Sequence, residues 1–266
     1  MKISRGEALA NYAILGLFAV FAIYPILTIV IGAFGSDPGS PGGLANFAAA
    51  WEQGHFASLM RTSVLVSALT LLIATPCSIM AGYALGAMIF RGQTVLFYLF
   101  LLGIMMPAEA IVVPLYFDLQ TLGLTNTIWA IVLPQVAQSV AFGTFWLRTY
   151  FRASSRSIVE AARLDGASTW QTLWLVLVPL ARPAITTLVV LTFMWTWNEF
   201  LIPLVMANTD ELRTAPLGLA FFQGQYTQGF TLLAAGAVIV ALPVVVVYLF
   251  MQRHFIAGML EGAVRE

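Results

Sequence analysis

Apolar residues run through this chain in long blocks, and six of them stand out: residues 12–34, 62–89, 95–117, 128–147, 183–206 and 232–251. Each is close to or above the roughly 20 residues that a helix needs to cross the hydrocarbon of a bilayer. Backbone polar groups in lipid must be satisfied within the segment, so the blocks predict helices. The expected fold class is an all-α polytopic membrane protein with six transmembrane helices, one domain over residues 1–266.

The longest polar interruption between blocks covers residues 154–183 and reads as two short helices joined at a glycine. Ser157 with Glu160, and Ser168 with Gln171, each have the spacing of a capping box, in which a hydroxyl and a carboxylate or amide satisfy free N–H groups of a first turn. Gly166 ends the first of these helices, because only glycine takes φ > 0 without steric cost. Ile158, Ala161, Ala162 and Leu164 supply small apolar surface, and Arg156, Arg163 and Asp165 supply charge. Such an elbow is shaped to insert into another protein; an amphipathic loop helix serving solubility alone is the other reading.

Within the blocks, polar residues mark candidate sites. Glu109 lies inside the third block, where a carboxylate at a helix centre costs about 2.5–3.5 kcal/mol and so faces a path or a bundle interior; hydration near the span's outer end is the alternative. Gln135, Gln138 and Ser139 fall at i, i+3 and i+4 on the fourth block and share one face, as pore lining or as helix packing. The fifth block carries Trp195, Trp197, Asn198 and Glu199 in its outer half, a set that reads as path lining or as an interfacial aromatic belt. Gly82 and Gly86, four residues apart in the second block, predict a close helix contact.

Composition narrows the function classes. Of 266 residues 60% are hydrophobic and 9% charged, with a mean hydropathy of +0.90, against about 25% charged in a soluble domain. Net charge is zero, which argues against nucleic acid as a partner. A single cysteine, Cys77, and two histidines, His55 and His254, leave no metal or disulfide framework. Lys2 is the only lysine, so no phosphate-binding loop of the G-x-x-x-x-G-K-[ST] type exists, and any ATP must be bound by another chain. An intramembrane enzyme would need a clustered acid, base or ligand set, and Glu109 and Glu199 stand alone. With six spans, ten of the twelve basic residues fall on one side, leaving Arg61 and Arg213 near the other, so both termini and the elbow are expected in the cytoplasm. The first block is preceded by Lys2 and Arg5, as a signal peptide would be, but its 23 or so apolar residues exceed the usual signal core of about 7–15, and it is read as a retained span.

The run EAARLDGAS from Glu160, followed by LVPLARP, resembles the EAA loop of bacterial ABC importer permeases. MMPAEAIVVPLY from Met105, LGLTNTIWAIVLP from Leu122, WNEFLIPL from Trp197 and QRHFIAGMLEGAV from Gln252 are similar to the carbohydrate, maltose-type branch, in order along most of the chain after residue 100. The resemblance implies a permease subunit of the bacterial cytoplasmic (inner) membrane. Its implied partners are a second homologous permease, two ATPase subunits, an extracytoplasmic solute-binding protein and lipid. It also implies that this chain is not itself an enzyme and binds no cofactor, ATP and Mg belonging to the ATPase. The loop at residues 154–172 would be a coupling helix docking through Glu160, Ala161, Ala162, Arg163, Asp165 and Gly166, with a second contact at Gln252, Arg253, Gly258 and Gly262. The implied translocation path would draw on Trp195, Trp197, Asn198, Glu199, Gln135, Gln138 and Glu109. A sugar is the expected cargo, and a glycerol- or sugar-phosphate the alternative. Many relatives carry a proline and an acidic residue where this chain has Ser155 and Ser157.

Overall fold

The computed structural model describes residues 4–153, 156–225 and 229–263, and all regular structure among them is helical. In chain order the helices are α1 (Arg5–Ala33), α2 (Ala45–Gln53), α3 (Phe56–Ala87), α4 (Gln93–Met105), α5 (Ala108–Thr121), α6 (Ile128–Ala153) and α7 (Arg156–Leu164). They continue as α8 (Thr169–Leu180), α9 (Arg182–Asn198), α10 (Leu201–Met206), α11 (Ala215–Gln225) and α12 (Phe230–Ala263). Four helices, α1, α3, α6 and α12, are long and apolar enough to cross a membrane, and the count reaches six if the bent pairs α4–α5 and α8–α9 each form one span.

Those bends are where the pattern of apolar blocks misled. The block at 95–117 is two helices meeting at 100°, because Met106 and Pro107 are extended (ψ 123° and 133°). Proline has no N–H to give the preceding turn and forces the residue before it out of the helical region. Glu109 therefore sits in the first turn of a new helix, where the free N–H groups and the helix dipole favour a carboxylate, and not at a helix centre. The block at 183–206 also divides: Glu199 is extended (ψ 125°), and its Oε1 accepts the Ile202 N–H at 3.1 Å, which starts α10.

The chain separates into two compact units. One comprises the chain up to Ala57 together with Gly218–Pro243. In it, buried Asn46 donates from Nδ2 to the carbonyls of Ala33 and Gly35, each at 2.9 Å, and accepts the Gly42 N–H at 2.8 Å, tying the loop after α1 to α2. Asp37 accepts the Thr231 N–H at 2.8 Å and so caps α12, which holds its carboxyl below the ordinary carboxylate range. A carboxyl lowered in this way stabilises the fold at neutral pH, and the contribution is lost as pH falls through the lowered value.

The other unit comprises Ser58–Leu217 and the chain from Val244 onward. Its larger core joins Ile79 and Tyr83 of α3, Leu147 and Phe151 of α6, Leu173 and Leu177 of α8, and Leu188 of α9. Glycine makes this contact close: a Cβ on Gly82 would stand 2.8 Å from the Leu147 Cβ, and one on Gly86 would stand 2.9 Å from the Arg148 carbonyl oxygen. A second core, Val66, Val112, Ile131, Val132, Ile202 and Met206, joins α3, α5, α6 and α10.

Candidate functional site

The elbow forms through local chemistry. Gly166 has φ +82°, its N–H donates to the Arg163 carbonyl at 3.0 Å, and the Ala167 N–H reaches back to the Ala162 carbonyl at 2.9 Å. This is the Schellman arrangement that closes a helix on a left-handed glycine. Two residues later Ser168 Oγ accepts the Gln171 N–H at 3.3 Å while Gln171 Oε1 accepts the Ser168 N–H at 2.8 Å, the reciprocal box expected from their spacing. At the other end α7 already includes Arg156, so Ser157 stands within its first turn; Ser154 and Ser155 lie outside the described residues.

Within α7 the expected docking residues divide by face. Ala162 is buried and Val159 packs on the larger core, which seats the helix on its own chain. Glu160, Ala161, Arg163, Asp165 and Gly166 are exposed, and so is Leu164, at 88% of its surface. Trp170, 62% exposed, adds apolar area that the sequence reading did not single out. It lies two residues past the Ser168 cap and meets Trp174 one turn on, with ring centroids 5.5 Å apart.

After the elbow α8 is π-helical over Thr172–Leu177, then the chain bends by 80° at Ala181 into α9. Side chains of α6 hold both sides of that bend. Tyr150 donates its hydroxyl to the Leu180 carbonyl at 2.7 Å, and Trp146 Nε1 donates to the Ala184 carbonyl at 3.0 Å. Motion of α8 is thereby tied to α6 and α9 together.

Within the same unit, α6, α9 and the α4–α5 break line an open cavity of about 600 Å³. Five of the residues expected on a path line it: Gln135, Gln138, Trp195, Asn198 and Glu199. Trp195 meets Phe142 edge to face, with centroids 4.7 Å apart, and makes an aromatic wall. Glu199 is the only charged side chain in the lining. Gln135 is 3% exposed, and neither atom of its carboxamide has a hydrogen-bond partner among the described residues. A buried amide left unpaired costs about 1–3 kcal/mol.

Two of the expected path residues are elsewhere. Trp197, two positions from Trp195, is 2% exposed, points away from the cavity and packs on Phe193 with centroids 5.6 Å apart. Trp197→Ala is therefore expected to cost about 3–5 kcal/mol of stability, as truncation of a buried aromatic does, lowering folded yield and uptake in equal proportion. Uptake per folded complex, measured against antibody-quantified protein, should match the wild type. Glu109 is exposed and not in the lining, which takes Ala108 from that turn. Of the expected C-terminal contact, Gln252 is half-buried and donates to the Leu249 carbonyl at 3.3 Å, while the side chains of Arg253, Gly258 and Gly262 lie outside the described residues. No group of three or more metal-ligating side chains occurs among the described residues.

Comparison with known proteins gives these features a context. Residues 74–260 match the family described as "Binding-protein-dependent transport system inner membrane component". The chain is 36% identical over 220 residues to a "Probable ABC transporter permease protein YurM" of Bacillus subtilis (strain 168), covering 83% of this chain and 73% of that one. It is 32% identical over 214 residues to the "Arabinooligosaccharides transport system permease protein AraQ" of Halalkalibacterium halodurans, covering 80% and 76% respectively. In fold it is similar to a chain of a bacterial ABC transporter involved in import of the acidic polysaccharide alginate, with a TM-score of 0.84 at 24% identity over 96% of this chain and 99% of that one. The matched stretch covers well over half of the sequence and includes the elbow and the cavity. This chain belongs to the family of binding-protein-dependent transport system inner membrane components, as a multi-pass ABC-type permease of the inner membrane.

Proposed function

We propose that this chain forms half of the translocation path for a sugar, and that its elbow couples the path to ATP hydrolysis on a separate subunit. The observation that carries the reading is one packed unit that holds both the cavity and the exposed elbow, joined through α8 and the clamped bend at Ala181. Rigid-body movement of α8 would then tilt α9, which lines the cavity, as interface movements do in other switching assemblies. ATP shifts that equilibrium by binding one arrangement of the assembly better than the other. In this reading Glu160, Ala161, Arg163 and Asp165 contact the ATPase, Ala162 and Gly166 shape the helix that presents them, and the C-terminal stretch from Gln252 adds a second contact. The one-sided distribution of basic residues supports a cytoplasmic elbow and cytoplasmic termini in this reading, with the chain serving as one permease domain.

A sugar is favoured over a phosphorylated cargo by the lining. Trp195 and Phe142 offer ring faces and edges to sugar C–H groups, Gln138 and Asn198 offer amides to hydroxyls, and no Lys or Arg is among the described lining residues to meet a phosphate. AraQ is described as serving arabinooligosaccharides, and the alginate transporter imports a polysaccharide. The companion permease, two ATPase subunits and an extracytoplasmic binding protein complete the assembly.

The test is co-purification followed by transport. The affinity-tagged full chain should bring an ATPase subunit and a second permease with it. Vesicles holding that assembly should take up radiolabelled arabinooligosaccharide, trehalose or maltose only with ATP and binding protein present. A chain that purifies without an ATPase from its native membrane refutes the coupling role; an assembly that moves glycerol phosphate but none of the three sugars refutes the cargo.

A further inference from the structure

A second cavity, of about 420 Å³, opens where α3 ends and α4 begins, lined among others by Gln93, Thr94, Arg148, Arg152, Glu160 and Arg163. Three guanidinium groups share this space with one carboxylate, and among the described residues none of the three arginines forms an ion pair. Arg148 is its fixed member. Its Nε donates to the Leu85 carbonyl at 3.0 Å and its guanidinium lies 3.6 Å over the Phe97 ring, which leaves the terminal nitrogens for another acceptor. Gln93 Nε2 donates to the Leu85 and Met88 carbonyls at 2.8 and 2.9 Å, so backbone acceptors at the end of α3 are already used. The first turn of α4 follows Gly92, which supplies no side-chain cap, and Thr94 of that turn lines the cavity.

This concentration of donors lies where α3 ends and α4 begins. Directly along α4 from it runs a bare apolar stripe: Val95, Tyr98, Leu99 and Leu102 are at i, i+3, i+4 and i+7 and each is 56–64% exposed. The adjoining Ile89 is 92% exposed. An anion of a soluble protein would satisfy the arginines but leave the stripe uncovered, whereas one amphiphile answers both.

We propose that this cavity binds the phosphodiester head group of an anionic phospholipid, with the acyl chains lying along the α4 stripe. Basic pockets between membrane helices at the head-group level are suited to such lipids, and bidentate guanidinium contacts suit phosphate oxygens. Because Glu160 and Arg163 belong to both this cavity and the elbow, a lipid held here would sit beside the docking helix and bias its position. The proposal does not depend on the cargo, nor on which leaflet the cavity faces.

The experiment uses the assembled transporter, stripped in neutral detergent and incubated with phosphatidylcholine micelles containing phosphatidylglycerol, with retained lipid counted by native mass spectrometry. Wild type should retain phosphatidylglycerol over phosphatidylcholine. Arg152→Gln should lower that retention about fivefold, the effect of one cation near an anionic head group, and Arg152→Lys should restore most of it. Arg182→Gln, at an exposed arginine outside the lining, should change nothing. sn-Glycerol phosphate, which has the head group without the chains, should compete only at far higher concentration than the lipid. Unchanged retention in Arg152→Gln, or an equal fall in Arg182→Gln, would overturn the site. Equal competition by glycerol phosphate would overturn the lipid assignment in favour of a soluble phosphate compound. Each Arg152 and Arg182 variant is scored only on monodisperse, wild-type-helical protein, and Gln93→Ala, which loosens the same wall without removing charge, separates shape from charge.

Discussion

A Glu160→Lys variant is expected to insert and fold like the wild type and yet to lose ATP-driven uptake by about a hundredfold. Its side chain is exposed and forms no ion pair within the chain among the described residues, so removing the carboxylate leaves nothing behind unsatisfied in the isolated subunit. In the proposed coupling Glu160 pairs with a basic residue of the ATPase, and reversing its charge would set cation against cation there, at a cost of about 2–5 kcal/mol. The checks are the apparent affinity of purified permease for the ATPase and the hydrolysis rate per mole of cargo moved. Wild-type uptake would remove the docking role from this helix. Phosphatidylglycerol retention separates the two functions assigned to this region, since the added positive charge should raise it while assembly falls.

Gly82→Leu should prevent accumulation of folded protein altogether. The atoms that a side chain would meet are Leu147 Cβ at 2.8 Å and the Arg148 backbone nitrogen at 3.1 Å, and backbone has no rotamer into which to retreat. Helices α3 and α6 would have to part, opening the larger core and withdrawing Leu147 and Phe151 from α8. Overpacking usually costs about 1–3 kcal/mol, and Gly82→Ala should fall within that range, while leucine exceeds what a shift of a few tenths of an ångström can accommodate. The midpoint of thermal unfolding in detergent should fall for alanine and monodisperse yield should vanish for leucine. Gly16→Ala is the control, because nothing lies within 4 Å of a Cβ there. If Gly82→Leu accumulates at wild-type level, the close α3–α6 approach is not what holds this unit together.

These two positions also show what kind of information is legible in a linear sequence. The elbow is written in residues no more than five apart: Gly166 with Arg163, Ala167 with Ala162, Ser168 with Gln171. Capping and left-handed closure depend only on such neighbours, so the pattern could be read directly. The glycine pair at 82 and 86 was readable as a close contact but not as to its partner, which is α6, some 60 residues further on. The path residues divide for the same reason. Trp195 and Trp197 look alike in sequence, but on a helix of about 3.6 residues per turn two positions turn the side chain through more than half a circle, and the neighbouring helices decide which side is core.

Composition and periodicity alone therefore established a polytopic helical membrane protein, local motif chemistry established the elbow, and resemblance to known sequences gave the family. Hydrocarbon length and backbone satisfaction leave no other class of fold for apolar blocks of this size. Only the tertiary structure decided that two of those blocks bend, that Glu109 begins a helix, that Trp197 is core while Trp195 faces a cavity, and that three arginines from two elements share one basic pocket. Those outcomes depend on which surfaces meet across tens of residues. Hydropathy sums a segment's affinity for lipid and carries no record of which face of it another helix will cover.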